Sequence, residues 1–193
     1  MKKYIAVLLA FVMCLSLCAC GSDGEPSPND QNETTNIWSV VQSVDDFGDV
    51  VDSNVKCIGA VFHGDFSNTA TNSSDLTVKV YARGNDLSTF VLELLEYDDM
   101  KALFYGSDEI TVKIKVGDTI TEYSASGAGG YIFVRDSRWS ENYRDYYPEG
   151  TGLYEALMMG NDVRFVIEVG SSKYNFTVEA GNFNELATQL MQE

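Results

Sequence analysis

Residues 109–116 alternate without a break: Ile110, Val112, Ile114 and Val116 fall on one side of an extended chain, and Glu109, Thr111, Lys113 and Lys115 on the other. A period of two over eight residues is the pattern of a strand buried on one face only. Gly117-Asp118 follows with glycine first, the order favoured by a two-residue type II′ hairpin turn. Pairing Val116 with Thr119 then sets Lys113 opposite Glu122 on the polar face and Val112 opposite Tyr123 on the apolar face. Charge and register agree, so this segment reads as an antiparallel hairpin.

The same grammar returns at 163–178, where Val163, Phe165, Ile167 and Val169 alternate with Arg164 and Glu168, and Tyr174, Phe176 and Val178 come back. Two registers fit. A Ser171-Ser172 turn places Arg164 opposite Glu179, whereas a Gly170-Ser171 turn places Glu168 opposite Lys173; both keep the same residues inward because they differ by two. Further strands are predicted at 37–43, 55–66, 75–82, 88–97, 101–105 and 130–135. Two short helices near the C-terminus are predicted as well: 152–159, stopped by Gly160-Asn161, and 183–191, where Asn182 and Glu185 have capping-box spacing. Strands in this number, joined by short turns, predict a single mainly β domain over 37–193, an antiparallel β-sandwich or a barrel-like relative of it.

The N-terminus obeys other rules. Lys2 and Lys3 precede an apolar run over 5–17, broken only by Cys14 and Ser16. At roughly 13 residues it has the length of a signal-peptide core, where a membrane-spanning helix needs about 20. Leu17-Cys18-Ala19-Cys20 resembles the bacterial lipobox, with Leu three places before the modified cysteine and small residues between. That resemblance implies a leader over 1–19, cleavage before Cys20, and a diacylglyceryl lipid on the Cys20 thiol as the contact with the cell membrane. Two acyl chains on one residue hold a protein stably where a single chain is marginal. Residues 21–36 contain no apolar side chain larger than proline and read, with Cys20, as a flexible tether over 20–36, able to extend some tens of ångströms at about 3.3 Å per residue.

Charge narrows the partners. The chain carries 13 Lys and Arg against 29 Asp and Glu, a net charge of −16, and leader cleavage removes two lysines and no acids. Such a surface repels phosphate backbones, so nucleic-acid binding is not expected. Of four cysteines, Cys14 and Cys18 leave with the leader and Cys20 carries lipid, which leaves Cys57 without an intrachain disulfide partner. Stability then rests on the apolar core alone, for which a domain of this length suffices.

Catalytic constellations are hard to assemble. His63 is the sole histidine, and if 57–63 form one strand, Cys57 and His63 share a face about 20 Å apart, beyond hydrogen-bond reach. Cys57 is therefore read as a small core or interface residue and His63 as an edge polar group. Tyr123-Ser124-Ala125-Ser126-Gly127 lacks the glycine two places before Ser126 that a nucleophile elbow requires. Zinc lacks ligands, and no cofactor or metal is expected. The one calcium-like grouping, Asp45, Asp46, Asp49 and Asp52, with Asp98-Asp99 elsewhere, has hard oxygen ligands without EF-hand spacing.

The segment 136–149 differs from other connections, which carry Gly, Asp, Asn and Ser. It concentrates Trp139, Tyr143, Tyr146 and Tyr147 with Arg138 and Arg144, residue types that form binding hot spots and sugar-stacking platforms. It is the candidate binding loop, with folding back over an open end of the domain as its competing role.

Trp38-Ser39-Val40, Asp45-Asp46-Phe47-Gly48-Asp49 and Phe66-Ser67-Asn68-Thr69-Ala70-Thr71, continued by Ser74, Leu76, Gly129-Gly130-Tyr131 and the stretch 176–190, resemble a family of secreted or lipid-anchored β-rich proteins of Gram-positive gut-type bacteria. The resemblance implies a shared fold and an extracytoplasmic location, not an activity; 136–149 stands out as an added loop. Three functions compete: a non-catalytic binding module for an envelope protein or glycan, an envelope- or polysaccharide-acting hydrolase, and a passive surface or assembly component. The first is favoured, because no catalytic set assembles.

Overall fold

The computed structural model describes residues 36–42, 56–87, 89–106, 108–135 and 152–192. Ten strands form one antiparallel sheet: β1 (Ser39–Val40), β2 (Cys57–Ser67), β3 (Ser74–Arg83), β4 (Thr89–Glu96), β5 (Met100–Lys101), β6 (Ile110–Val116), β7 (Thr119–Ala128), β8 (Tyr131–Arg135), β9 (Val163–Val169) and β10 (Ser172–Val178). Eight of them close on themselves in the order β2-β10-β9-β6-β7-β8-β4-β3, with β3 returning to β2; β1 and β5 are additions on β2 and β4. Of the two architectures compatible with the alternation, the chain adopts the closed barrel. The reason lies in β2: β3 pairs along its whole length on one edge, while β10 takes the other edge over Gly64–Ser67 and β1 takes it over Ile58–Gly59. No long edge is left open on β2, which removes the template for association between chains.

Both predicted hairpins are present. The β6–β7 register pairs Val116 with Thr119, Lys113 with Glu122 and Val112 with Tyr123, and Gly117 takes φ 56°, the sign a primed turn demands at its first central position. Between β9 and β10 the register is the Gly170-Ser171 one, with Lys173 opposite Glu168 and Arg164 opposite Thr177. Gly170 is left-handed at φ 56°, a conformation that would cost a Cβ-bearing serine and costs glycine little. Two predicted strands shrink: 37–43 to two residues, and 101–105 to Met100–Lys101 followed by irregular chain.

The interior is packed with side chains. Ile58, Val78, Val80, Leu92, Leu94, Ile110, Val112, Ile132 and Ile167 are at or below 1% exposure, and Phe165 stacks on Phe176 at 4.9 Å between ring centroids. One mouth is plugged by Tyr97, Phe66, Tyr174 and Phe104, each ring in contact with the next. Phe104 fits there because residue 127 is glycine: a Cβ on Gly127 would stand 2.7 Å from both Phe104 Cβ and Ile110 Cδ1. The opposite mouth is closed by Trp38 and by helices α1 (Leu153–Met158) and α2 (Phe183–Gln192). There Phe183 makes ring contacts with Trp38, Phe90 and Tyr154 at 5.0–6.2 Å. The two helices lie where the sequence places them, one before and one after the last hairpin.

The expected capping box is not formed. The Asn182 side chain is buried and used elsewhere: its Oδ1 accepts from the backbone N–H groups of Ile37 and Trp38 at 3.0 and 2.8 Å, and its Nδ2 donates to the Trp38 carbonyl at 3.0 Å. Trp38 Nε1 donates to the Glu179 carbonyl at 2.9 Å. The N-terminal segment is thus stitched to the chain leaving β10, a demand for satisfying buried backbone groups that outranks helix capping. Among the described residues no helix is long and apolar enough to cross a membrane.

Candidate functional site

With the interior filled, recognition chemistry has to be sought on the outer surface. Period-two alternation sends every second residue of each strand outward, and the barrel registers line these residues up into rows across strands. One row runs Ile120, Lys115, Arg164, Thr177 through β7, β6, β9 and β10. His63 of β2 is next, one residue beyond the Phe176–Gly64 pair. These residues, with Asp65 one row away, line a shallow groove of about 500 Å³. Ile120 leaves 64% of its surface exposed beside it. His63 projects outward from β2, opposite Thr77 of β3 on one side and just beyond the last β10 pair on the other; its Nδ1 lies 3.4 Å from Thr77 Oγ1. Asp65 accepts from Asn175 Nδ2 at 3.0 Å.

The cations of this row differ from the other lysines of the described strands. Lys79 and Lys101 both reach Glu93, at 3.5 and 2.9 Å. Lys113 reaches Glu168 at 3.2 Å and Glu122 at 3.7 Å, and Lys173 reaches Glu168 at 3.7 Å. Lys115 and Arg164, by contrast, sit directly opposite one another across β6 and β9, and among the described residues neither has a carboxylate within ion-pair distance. Like charges facing one another across strands are unfavourable.

Two of the paired carboxylates, Glu93 and Glu168, are held ionised. At Glu93, burial pushes the pKa up but is outweighed by the hydrogen bond from Lys101 and the charges of Lys79 and Lys101, so the net shift is downward. The Lys113 hydrogen bond and charge hold Glu168 low. Such groups suit ion pairing; a general acid needs a raised value. Burial, reinforced by the bond from its hydroxyl to Glu96 at 2.7 Å, pushes Tyr174 upward and keeps it a neutral plug. Cys57 is half-buried on the outer side of β2, not in the core as one of its expected roles had it, and desolvation raises its thiol pKa, which weakens it as a nucleophile. It shares β2 with His63, as expected, too far along the strand for a dyad.

A second depression of about 660 Å³ lies at the rim where Leu103 and Tyr105 are more than 60% exposed, with Asp108, Glu109 and Glu168 around it. Asp98-Asp99 form the β4–β5 turn, with Asp98 left-handed at φ 74°. No cluster of three or more His, Cys, Asp or Glu side chains suited to a metal occurs among the described residues. Cys20, the aspartates Asp45, Asp46, Asp49 and Asp52, and the loop residues Trp139, Tyr143, Arg144, Tyr146 and Tyr147 lie outside the described residues.

Reading the sequence alone missed Lys115 and Arg164 as a pair. A signal was present within each hairpin, since Lys115 faces Ile120 and Arg164 faces Thr177 where other lysines face glutamates. The β6–β9 register that joins them spans 49 residues of chain, and nothing local announces it.

Fold and surface together define a closed, eight-stranded antiparallel barrel with a side-chain-filled interior and a cationic outer groove. No family model matches the chain, and neither a curated protein nor a solved structure matches it.

Proposed function

We propose that this protein is a non-catalytic binding module, held on the outer face of a cell membrane by a diacylglyceryl lipid on Cys20, which engages an envelope glycan or envelope protein through the outside of its barrel. The observation that carries the reading is the filled interior. Eight-stranded barrels either hold one small ligand or are packed with their own side chains, and here branched chains and stacked rings occupy the lumen while aromatic clusters plug both mouths. The barrel therefore serves as a rigid stand for its surface, and the ion-paired carboxylates of Glu93 and Glu168, held ionised, fit that role better than hydrolysis does. The lipobox-like 17–20 and the polar tether over 20–36 support placing that surface away from lipid head groups. The aromatic segment with Trp139, Tyr143, Arg144, Tyr146 and Tyr147 supplies contact chemistry of the hot-spot type.

The test is a binding screen of the full chain in detergent against arrayed envelope glycans and purified envelope proteins. A saturable partner whose binding survives substitution of lumen residues by similar apolar ones is expected. Binding lost with such lumen substitutions would place the site inside the barrel and overturn the reading.

A further inference from the structure

We infer that the outer groove between β6, β9 and β10 is a binding site for a compact oxyanion, a carboxylate or phosphate carried on a small or singly charged ligand unit, with Lys115 and Arg164 as its anchoring cations. This rests on the reading that recognition lies on the barrel exterior.

Three observations converge. The first is an electrostatic anomaly: in a chain with 29 acidic and 13 basic residues, random placement would surround any cation with carboxylates, and every other lysine of the described strands has one at 2.9–3.7 Å. Lys115 and Arg164 instead face each other in register, with no carboxylate partner among the described residues, which costs folding free energy that a bound anion between them would offset.

The second is donor geometry. Arg164 offers a planar fork suited to two oxygens of a carboxylate or phosphate, Lys115 a point charge from the adjacent strand about 5 Å away, and the Thr177 hydroxyl continues the row on the other side of Arg164. The donors stand on paired strands of a closed barrel, so they are held in place before the ligand arrives. The third is shape: the groove encloses about 500 Å³, within the range of small-ligand sites, and Ile120 gives it an exposed apolar side against which the uncharged part of a ligand can lie.

The surroundings limit ligand size. Asp65 lines the groove, and Glu122 and Glu168 lie in the neighbouring rows, tied to Lys113. A long polyanion would meet these and the overall charge of −16; one oxyanion bound between Lys115 and Arg164 avoids them.

The probes are inorganic phosphate and a glucuronic-acid disaccharide, with the matching neutral glucose disaccharide as control, titrated into the ¹⁵N-labelled full chain in detergent at low salt. Saturable amide shifts confined to Lys115, Arg164, Thr177 and their neighbours are expected with at least one anionic probe, weaker by about threefold or more at 0.3 M salt and not seen with the neutral sugar. Phosphate and uronate arms separate the two sources of the oxyanion. Arg164→Ala and Lys115→Glu should each weaken binding at least about tenfold, whereas Lys79→Ala should leave it unchanged. Lys115→Glu creates an ion pair with Arg164, so its melting midpoint should hold or rise, which separates lost binding from lost folding. Shifts that do not saturate with either anion, or equal binding by wild type and Lys115→Glu, would overturn the inference. A partner that binds elsewhere on the exterior would leave the binding-module reading standing in that event.

Discussion

Asn182→Ala should destabilise the fold by about 3 kcal/mol. The side chain makes three hydrogen bonds to backbone groups 144 and 145 positions away, two to Trp38 and one to Ile37, at 2.8–3.0 Å. A net contribution of about 1 kcal/mol per bond gives the total, and because Trp38 is 3% exposed, its stranded N–H and C=O add a desolvation penalty that pushes the loss upward. For a chain of this size about 3 kcal/mol corresponds to a fall in melting midpoint of about 6–12 °C. Asn184→Ala is the matched control: the same residue type two positions on, in the first turn of α2, with two exposed bonds, to the Met158 carbonyl at 2.8 Å and from the Thr188 hydroxyl at 3.1 Å, and it should cost about 1 kcal/mol or less because solvent replaces both. Urea denaturation read by Trp38 fluorescence in a Trp139→Phe background follows the affected site itself. The Asn182 variant should start from a red-shifted native emission, because Trp38 loses its anchor at the barrel mouth. A loss below about 0.5 kcal/mol, or equal losses for the two asparagines, would refute the claim that Asn182 closes this mouth of the barrel.

Val112→Asp places a carboxylate at a position with no exposure and should cost about 4 kcal/mol or more, while Lys113→Asp, one residue along on the outer face, should cost far less in the same urea assay. Glu93→Gln should flatten the acid side of the stability curve: the Glu93 pKa is depressed in the fold, so its pairing is fully present above the ordinary carboxylate value of about 4.3 and is lost as pH falls through the lower folded value. The wild type should therefore lose more of its urea midpoint between pH 7 and pH 3 than the variant does. Cys20→Ser should move the protein from the membrane pellet to the soluble fraction without changing its melting midpoint, and should abolish labelling by an alkyne fatty acid seen in the wild type. Replacing Trp139, Tyr143, Tyr146 and Tyr147 together by Ala should remove partner binding; a fall in midpoint beyond about 10 °C would mean that these rings cover the protein's own surface instead.

What the sequence made legible was local. Val112 and its alternating neighbours specified β6, and Gly117 specified the turn, because strand periodicity and positive φ are decided within a few residues. The β9–β10 register stayed open between two choices, since both bury the same faces; glycine at 170, preferred over serine where φ is positive, was the deciding feature. Closure was not legible. It depends on β2 pairing with β3 and β10, the latter 110 positions away, and alternation is identical in a sandwich and a barrel. Asn182 misled for a related reason: an Asn three residues before a Glu predicts a cap, but the unpaired backbone of Trp38 reached it first. Lys115 and Arg164 read separately as ordinary solvent-facing cations, and only the non-local β6–β9 register makes them a pair.

The central claim, that the outside of this barrel binds and does not transform its ligand, is tested most directly by the fate of that ligand. The glycan or protein retained in the envelope screen would be incubated with equimolar full chain for a day and its intact mass measured. The account predicts a ligand recovered at unchanged mass, whose retention falls when the groove cations or the 136–149 aromatics are substituted. A shortened glycan or cleaved peptide, formed in proportion to protein and lost with the same substitutions, would contradict it and identify a hydrolase.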